Sequence, residues 1–539
     1  MSNIKKLLTL ALCIGIGVTG VPYTSVAAET QNQTKNVIIM IPDGMSTTDT
    51  TLARWYQGGS PLALDEMASG LVRTYWSAGA ITDSAPAATA MATGYKTTNK
   101  YIGVLPAKST MPGTSSNDKD AKKPVATVLE AAKLSGKSTG LIATSNIQHA
   151  TPAAFSSHYY SRSRYDIIGE QQVYENIDVI LGSGFKYLMP GERTDKEDIL
   201  SVIPTLGYDY VTTTDQMKAS SSSKIWGFFS DDAMSYDMDR DPAKQPSLAE
   251  MTDKAINVLS KNKSGFFLMV EGSKVDWAAH ANDPTGVISD VIAFDKAVKV
   301  ALDFAKKDGN TMVLAMTDHG NGGISIGDSG TTGTYDNDTL DKFMAPLEKA
   351  KLTGEGLESK ILPDKSNIQD IMGQYFGIND LSDKEISAIA SAKPGTLNAV
   401  VGPMISKRAH IGWTTGGHTG EDIVLYSYLP GNERVTGVID NTDIAKLSAK
   451  FLNVDLNSAT KTLFVPAREA FEAKGAKIAF DDSATDNPVI VVTKGNTELK
   501  LFINKSIADL NGTKVKLSGV VVYNDDSTFV PQDAVDLIK

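Results

Sequence analysis

Cysteine occurs once in this 539-residue chain, at Cys13, and positive charge, histidine and long apolar stretches are all scarce. Each shortage closes off a kind of chemistry. Cys13 sits in the run Leu7-Leu8-Thr9-Leu10-Ala11-Leu12-Cys13-Ile14-Gly15-Ile16, which follows Lys5 and Lys6 and precedes the small residues Ser25-Val26-Ala27. That order of basic, apolar and small residues reads as an export signal over residues 1–28. Leu12 stands where lipid attachment to the cysteine would need a small residue. An uncleaved anchor is the alternative, but the run is broken by glycine and shorter than a membrane span, and no later span follows. With the signal removed the chain has no disulfide, thiolate ligand or thiol nucleophile, although its compartment permits disulfides. Any metal must then be held by oxygen and nitrogen.

Lysine and arginine number 52 against 63 aspartates and glutamates, a net charge of −11 that becomes −13 when Lys5 and Lys6 leave with the signal. No nucleic-acid-binding surface is expected from that balance. An anionic substrate would be repelled at long range, so a phosphate-handling site needs concentrated local positive charge, of the kind bound metal ions supply. Histidine occurs six times, at His149, His158, His280, His319, His410 and His418, so candidate imidazole ligands are few.

The rest of the composition, 41% hydrophobic and 21% charged, describes a globular chain with ample core and room for more than one domain. Three apolar runs share one grammar. Asn36-Val37-Ile38-Ile39-Met40-Ile41 ends at Pro42-Asp43-Gly44, Gly265-Phe266-Phe267-Leu268-Met269-Val270 at Glu271-Gly272, and Met312-Val313-Leu314-Ala315-Met316-Thr317 at Asp318-His319-Gly320. Unbroken runs of this length predict buried parallel strands, and a mostly parallel sheet brings their carboxylates to one edge, where α/β folds form their crevice. Residues 139–144, 179–182 and 423–428 add strands; residues 125–134, after Pro124, and 290–307, between Ser289 and Gly309, read as helices. The fold class expected is α/β, a three-layer sandwich with a central mostly parallel sheet flanked by helices. Residues 29–465 form its catalytic domain, with surface insertions at about 186–245 and 325–408 that are placed to roof a site. Residues 466–539 alternate like hairpins, at 488–492, 499–503 and 515–522, and read as a small β-rich C-terminal domain. Its pattern resembles the stalk modules related to the N-terminal domain of copper amine oxidases.

The stretch Thr82-Asp83-Ser84-Ala85-Pro86-Ala87-Ala88-Thr89-Ala90-Met91-Ala92-Thr93-Gly94 reads as a helix with a hydroxyl at its free N–H groups. An anion binds well at such a terminus and an alkoxide costs less to form there. A plain helix cap by Asp83 or Ser84 is the alternative. Asp276 and His280, four apart, share a helix face, Asp318-His319 ends a strand, and His418 lies in the loop Gly416-Gly417-His418-Thr419-Gly420. With Asp43 and Glu271 these make enough oxygen and nitrogen ligands for two zinc sites and a harder ion such as Mg²⁺.

This joint pattern, over roughly residues 36–450, resembles the alkaline phosphatase family, in a subgroup of bacterial members with histidine and tryptophan near the phosphate. The resemblance implies that Ser84, in Asp83-Ser84-Ala85, is the nucleophile that becomes phosphorylated. It implies one zinc site at Asp276, His280 and His418, and a second at Asp43, Asp318 and His319 with Ser84 joining. A magnesium position falls at Asp43, Thr151 and Glu271. In Ser161-Arg162, Arg162 is the guanidinium that forks onto two phosphate oxygens. His149 and Trp277 stand where enterobacterial members carry aspartate and lysine; His149 orients water at the magnesium position or lies just behind its ligands. His158 and His410 receive no role. The resemblance further implies hydrolysis of small phosphate monoesters, a homodimer, an exported or cell-surface location, and surface contact through the C-terminal domain. A sulfatase would need an arginine that the chain lacks after Ser84-Ala85-Pro86, and a phosphodiesterase would use a threonine nucleophile and a pocket for a second ester group. A non-enzymatic surface scaffold is the reading from another class.

Overall fold

The structure, a computed structural model, describes residues 36–483, 487–525 and 527–539. The expected export signal lies outside them. Ten strands form one sheet: β1 (Asn36–Pro42), β2 (Ala68–Arg73), β3 (Ser138–Asn146), β4 (Val179–Ser183), β5 (Asp209–Val211), β6 (Ile225–Phe228), β7 (Phe266–Gly272), β8 (Thr311–Ala315), β9 (Ile423–Tyr428) and β10 (Gly437–Asp440). Their spatial order is β10-β2-β9-β8-β1-β7-β3-β4-β6-β5, and only β9 runs against its neighbours. The three apolar runs lie side by side as β8, β1 and β7, every residue of them buried because helices cover both faces of the sheet. Their parallel pairing places Asp43, Glu271 and Asp318 at one edge. The expected α/β sandwich is the observed fold.

Two elements start elsewhere than the sequence suggests. The long helix begins at Pro284 rather than 290, because Asp283 accepts from the Thr285 N–H and proline is tolerated in a first turn that needs no donor. The 125–134 helix begins at Val128, behind a capping box in which Thr127 and Glu130 satisfy each other's backbone N–H groups at 2.7 and 3.1 Å.

The stretch 186–245 is not confined to the surface. It supplies β5 and β6, which extend the sheet beyond β4, and Trp226 within it is fully buried. The stretch 325–408 is a helical lobe whose own apolar core includes Leu347, Leu357, Met372, Phe376, Val401 and Ile405, seated on Leu52. At the C-terminus, Lys477–Asp481, Val489–Lys494, Thr497–Phe502, Ile507–Leu510 and Thr513–Lys516 form a five-stranded antiparallel sheet. The run expected at 515–522 is divided: after Lys516 the chain crosses at Gly519, where a Cβ would lie 2.8 Å from Leu463, and Val522–Asn524 joins a second sheet with Ser527–Val530 and Val465–Pro466.

The two histidines without an assigned role are structural. His410, at φ 50°, turns the chain beside Asp328, with Nδ1 3.1 Å from its carboxylate. His158 is fully buried, with Nδ1 2.8 Å from the Gly103 carbonyl and Nε2 2.8 Å from Glu130. Both partners only accept, so both ring nitrogens donate and the ring is an imidazolium. Burial alone would lower its pKa, but the Glu130 carboxylate raises it above the usual histidine value. A raised folded-state pKa stabilises the protein fully below the unfolded pKa and less as pH rises through the folded one. Replacing His158 by glutamine is therefore expected to cost about 3 kcal/mol at about pH 6 and clearly less at about pH 10, read as the difference in unfolding midpoint from wild type.

Candidate active site

Ser84 opens the helix Ser84–Thr93, all of it buried and closed by Gly94 in the left-handed region at φ 82°. Asp83 holds the cap position by backbone geometry, but its side chain makes no cap bond and accepts instead from Arg162 Nη1 at 2.5 Å. The helix N–H groups thus stay open toward the site, and the capping alternative fails for the side chain. The Ser84 hydroxyl lies 3.2 Å from His319 Nε2 and 3.4 Å from Asp43 Oδ2.

Around it the predicted ligands converge from segments far apart in sequence. His319 Nε2 is 3.2 Å from Asp318 Oδ2 and 3.5 Å from Asp43 Oδ1. On its other side His319 stacks on His418 with ring centroids 3.6 Å apart. His280 Nε2 lies 3.1 Å from His418 Nε2 and 3.5 Å from Asp276 Oδ2, while His418 Nε2 is 3.6 Å from Asp276 Oδ1. Ligand atoms of Asp276, His319 and His418, of Asp43, Asp318 and His319, and of Asp43, His149 and Glu271 each lie within 4.8 Å of one another. Thr151 is buried on the short helix Ala150–Ala154, and its hydroxyl is buried without a hydrogen-bond partner.

The protonation pattern fits cations. His280 Nδ1 donates to the Gly416 carbonyl and His418 Nδ1 to the Thr82 carbonyl, each at 2.8 Å, which aims both Nε2 atoms into the site as candidate ligand atoms. Asp43 Oδ1, Asp318 Oδ2, Glu271 Oε1 and His319 Nδ1 are buried without a hydrogen-bond partner. Burial first, and then Asp318, Asp276 and Glu271, push Asp43 well above the usual carboxylate range. Burial, with Asp318 and Asp276 adding to it, lifts Glu271 to about 8. Asp318 stays below the usual value despite its burial, because the imidazoles of His319 and His418 and the Gly44 N–H favour its charged form. Among buried like charges, divalent cations are the compensation such a donor set offers.

Arg162 Nη2 donates to His149 Nε2 at 2.9 Å, which makes His149 an acceptor and hence neutral; burial, and next the arginine charge, lower its pKa to about 3. The His149 ring meets Trp277 edge-on at 5.9 Å, and Lys274 Nζ lies 4.5 Å from the Trp277 ring. Lys274 is itself buried and pairs with Glu355 of the 325–408 lobe at 3.0 Å, so that lobe reaches the wall of the site.

Sequence reasoning missed Asn321, whose Nδ2 donates to Asp276 Oδ1 at 2.6 Å and to its backbone carbonyl at 3.1 Å. Its place three residues after Asp318 is the only signal of this.

A family model described as alkaline phosphatase matches residues 34–454. The chain belongs to the alkaline phosphatase family. Alkaline phosphatase 4 of Bacillus subtilis is 38% identical over 466 residues, covering 83% of this chain and 95% of its own. The cold-active alkaline phosphatase of a psychrophilic Shewanella aligns at a TM-score of 0.66 with 30% identity, covering 77% of this chain and 99% of its own. A His-to-Asp mutant of the TAB5 enzyme, solved with Mg in its M3 site, aligns at 0.57 with 29% identity, covering 79% and 99%. Residues 449–537 match a second family model, the copper amine oxidase N-terminal domain. The protein is thus an enzyme of the alkaline phosphatase class, and family membership supports metal-dependent hydrolysis of phosphate monoesters.

Gly44, at φ 75°, lies against Asp276, and a Cβ there would stand 2.7 Å from Asp276 Oδ1 and 2.8 Å from its Cα. Gly44→Ala would displace that carboxylate, and Asn321→Ala would release it. Each is expected to weaken divalent-metal affinity by about 10- to 100-fold, read by competition with a chromophoric chelator.

Proposed function

We propose that the enzyme hydrolyses small phosphate monoesters through a covalent phosphoserine at Ser84. The observation that carries this reading is the Ser84 hydroxyl itself, at the open terminus of a buried helix and 3.2 Å from His319. Asp276, His280 and His418 would hold one zinc ion, and Asp43, Asp318 and His319 a second. Asp43, Thr151 and Glu271 would hold magnesium, whose preference for oxygen donors this set suits. When bound, these ions supply concentrated positive charge that lowers the pKa of hydroxyl and water and neutralises developing phosphate charge.

The chain's own groups do the rest. Arg162 has N–H groups beyond the two engaged by Asp83 and His149, and its planar fork matches two non-bridging phosphate oxygens, which only a monoester presents freely. Asp83 and His149 hold that fork in place from behind. The helix dipole favours negative charge on Ser84 Oγ and on the bound phosphate. In-line attack by Ser84 expels the alcohol and forms the phosphoserine, and attack by water then releases phosphate, so two displacements give retention at phosphorus. His149 is neutral, so it orients water beside Glu271 rather than contributing charge. Trp277 forms its wall where a lysine would grip phosphate, a difference that favours weaker product inhibition.

Residues 1–28 act in this reading as an export signal, with the enzyme exported or held at the cell surface and working as a homodimer. Among the described residues no helix is long and apolar enough to cross a membrane. The chain divides near residue 466 into the catalytic domain and a C-terminal domain for surface contact.

Ser84→Ala is expected to lower kcat by about a thousandfold or more with metal content retained, measured by elemental analysis beside turnover. Unchanged turnover would remove the nucleophile assignment, and a wild-type chain that binds no divalent metal would favour a scaffold. A chelator should abolish turnover, and zinc with magnesium should restore it. The kcat/KM for a simple monoester should exceed that for a matched diester; the reverse order would make the enzyme a phosphodiesterase.

A further inference from the structure

The segment that carries Arg162 is held on one side by the catalytic domain. Ile102 and Tyr159 exchange backbone hydrogen bonds at 2.8 and 2.9 Å, and the Arg162 N–H donates to the Lys100 carbonyl at 2.8 Å. Its other side faces the C-terminal domain, which grips it before and after the arginine.

Before Arg162 there are two holds. Gln171, buried, accepts from the His158 N–H at 2.7 Å and donates to the His158 carbonyl at 3.2 Å, and the same amide nitrogen donates to Asn504 Oδ1 at 3.0 Å. Closer still, Tyr159 OH donates to Tyr160 OH at 3.0 Å, and Tyr160 OH donates to Asp525 Oδ1 at 2.6 Å. Lys122 completes this hold, with Nζ 3.2 Å from Asp525 Oδ2 and 4.1 Å from the Tyr160 ring centroid. A chain of hydroxyls ending on a carboxylate is a charge-assisted arrangement in which each bond polarises the next.

After Arg162 the helix Tyr165–Glu175 is pinned as well. Ser506 Oγ donates to the Tyr174 carbonyl at 2.6 Å, and Lys505 Nζ lies 3.4 Å from Glu170 and 2.6 Å from Glu197. Attachment of a stalk needs a patch anywhere on the surface. Here residues 504–506 and 525 lie on both flanks of the one segment whose arginine faces the phosphate position.

We propose that the C-terminal domain positions Arg162, so that Asn504 and Asp525 act through Gln171 and Tyr160 to set the affinity for phosphate. This rests on the reading of Arg162 as the phosphate-binding fork. Asp525, Tyr160, Asn504 and Gln171 are positioning residues; none touches substrate. Because Arg162 holds phosphate in substrate and product alike, loosening it weakens the binding of both and changes kcat less.

The test uses the full-length metal-loaded enzyme with Asp525→Asn, Tyr160→Phe and the pair, each alone and in an Arg162→Ala background. Asp525 is about half exposed, so its isosteric replacement leaves folding intact, and the unfolding midpoint verifies this. Asp525→Asn is expected to raise KM for a monoester and the inhibition constant of inorganic phosphate together, by about two- to fivefold, with Tyr160→Phe matching it and the pair adding nothing. In the Arg162→Ala background Asp525→Asn should have no further effect. Unchanged phosphate inhibition in Asp525→Asn and Tyr160→Phe, or the same fold-change with and without Arg162, would overturn the proposal while leaving the arginine's role standing. Unchanged phosphate inhibition in Arg162→Ala itself would remove the reading beneath it, and the proposal with it.

Discussion

Three buried carboxylates, Asp43, Glu271 and Asp318, stand at the ends of the adjacent parallel strands β1, β7 and β8, and their mutual repulsion governs the rest of the structure. Water cannot relieve it, since all three are fully buried, and no lysine or arginine bonds them among the described residues. Such a cluster is costly unless cations join it. The imidazoles of His280 and His418, turned by the carbonyls of Gly416 and Thr82 so that their Nε2 atoms face inward, stand beside it. The chain is acidic overall, with a net charge of −11, so cations held at this cluster would make the proposed phosphate site locally positive.

The scaffold gives this cluster its precision. Parallel strands fix the spacing of the carboxylates through backbone register, and a buried alanine-rich helix brings Ser84 to them end-on. Supporting contacts hold each ligand: Asn321 on Asp276, the Gly44 N–H on Asp318 at 3.3 Å, and Ser145 on Glu271 at 3.4 Å. The side on which we propose that phosphate binds is organised separately, by a guanidinium held between Asp83 and a neutral His149. The C-terminal domain reaches this second half of the site through the backbone of His158 and the hydroxyl of Tyr160.

Much of this is legible in the sequence, for a physical reason. A strand buried on both faces is an unbroken apolar run, so β1, β7 and β8 announce themselves, and an acid directly after such a run has to lie at the sheet edge. The candidate ligand set can be drawn up because only six histidines exist to supply imidazole. What escapes is what depends on tertiary context. The strands Asp209–Val211, Ile225–Phe228 and Gly437–Asp440 are three or four residues long and carry no periodic signal of their own. The start of the long helix at Pro284 turns on one aspartate side chain, and the division of 515–522 on the close approach of Gly519 to Leu463. Asn321 lies in a two-residue strand and its role is visible only once Asp276 is beside it.

On the mechanism we propose, oxygen and nitrogen ligands from distant parts of the chain together hold the cations that make Ser84 reactive. Zinc X-ray absorption on the purified, active enzyme tests it most directly. The expected spectrum has nitrogen and oxygen alone in direct contact with zinc, with the more distant scattering of imidazole rings and zinc in at least stoichiometric amount. Full activity in protein holding substantially less than one divalent ion per chain, or zinc without imidazole in its surroundings, would contradict it.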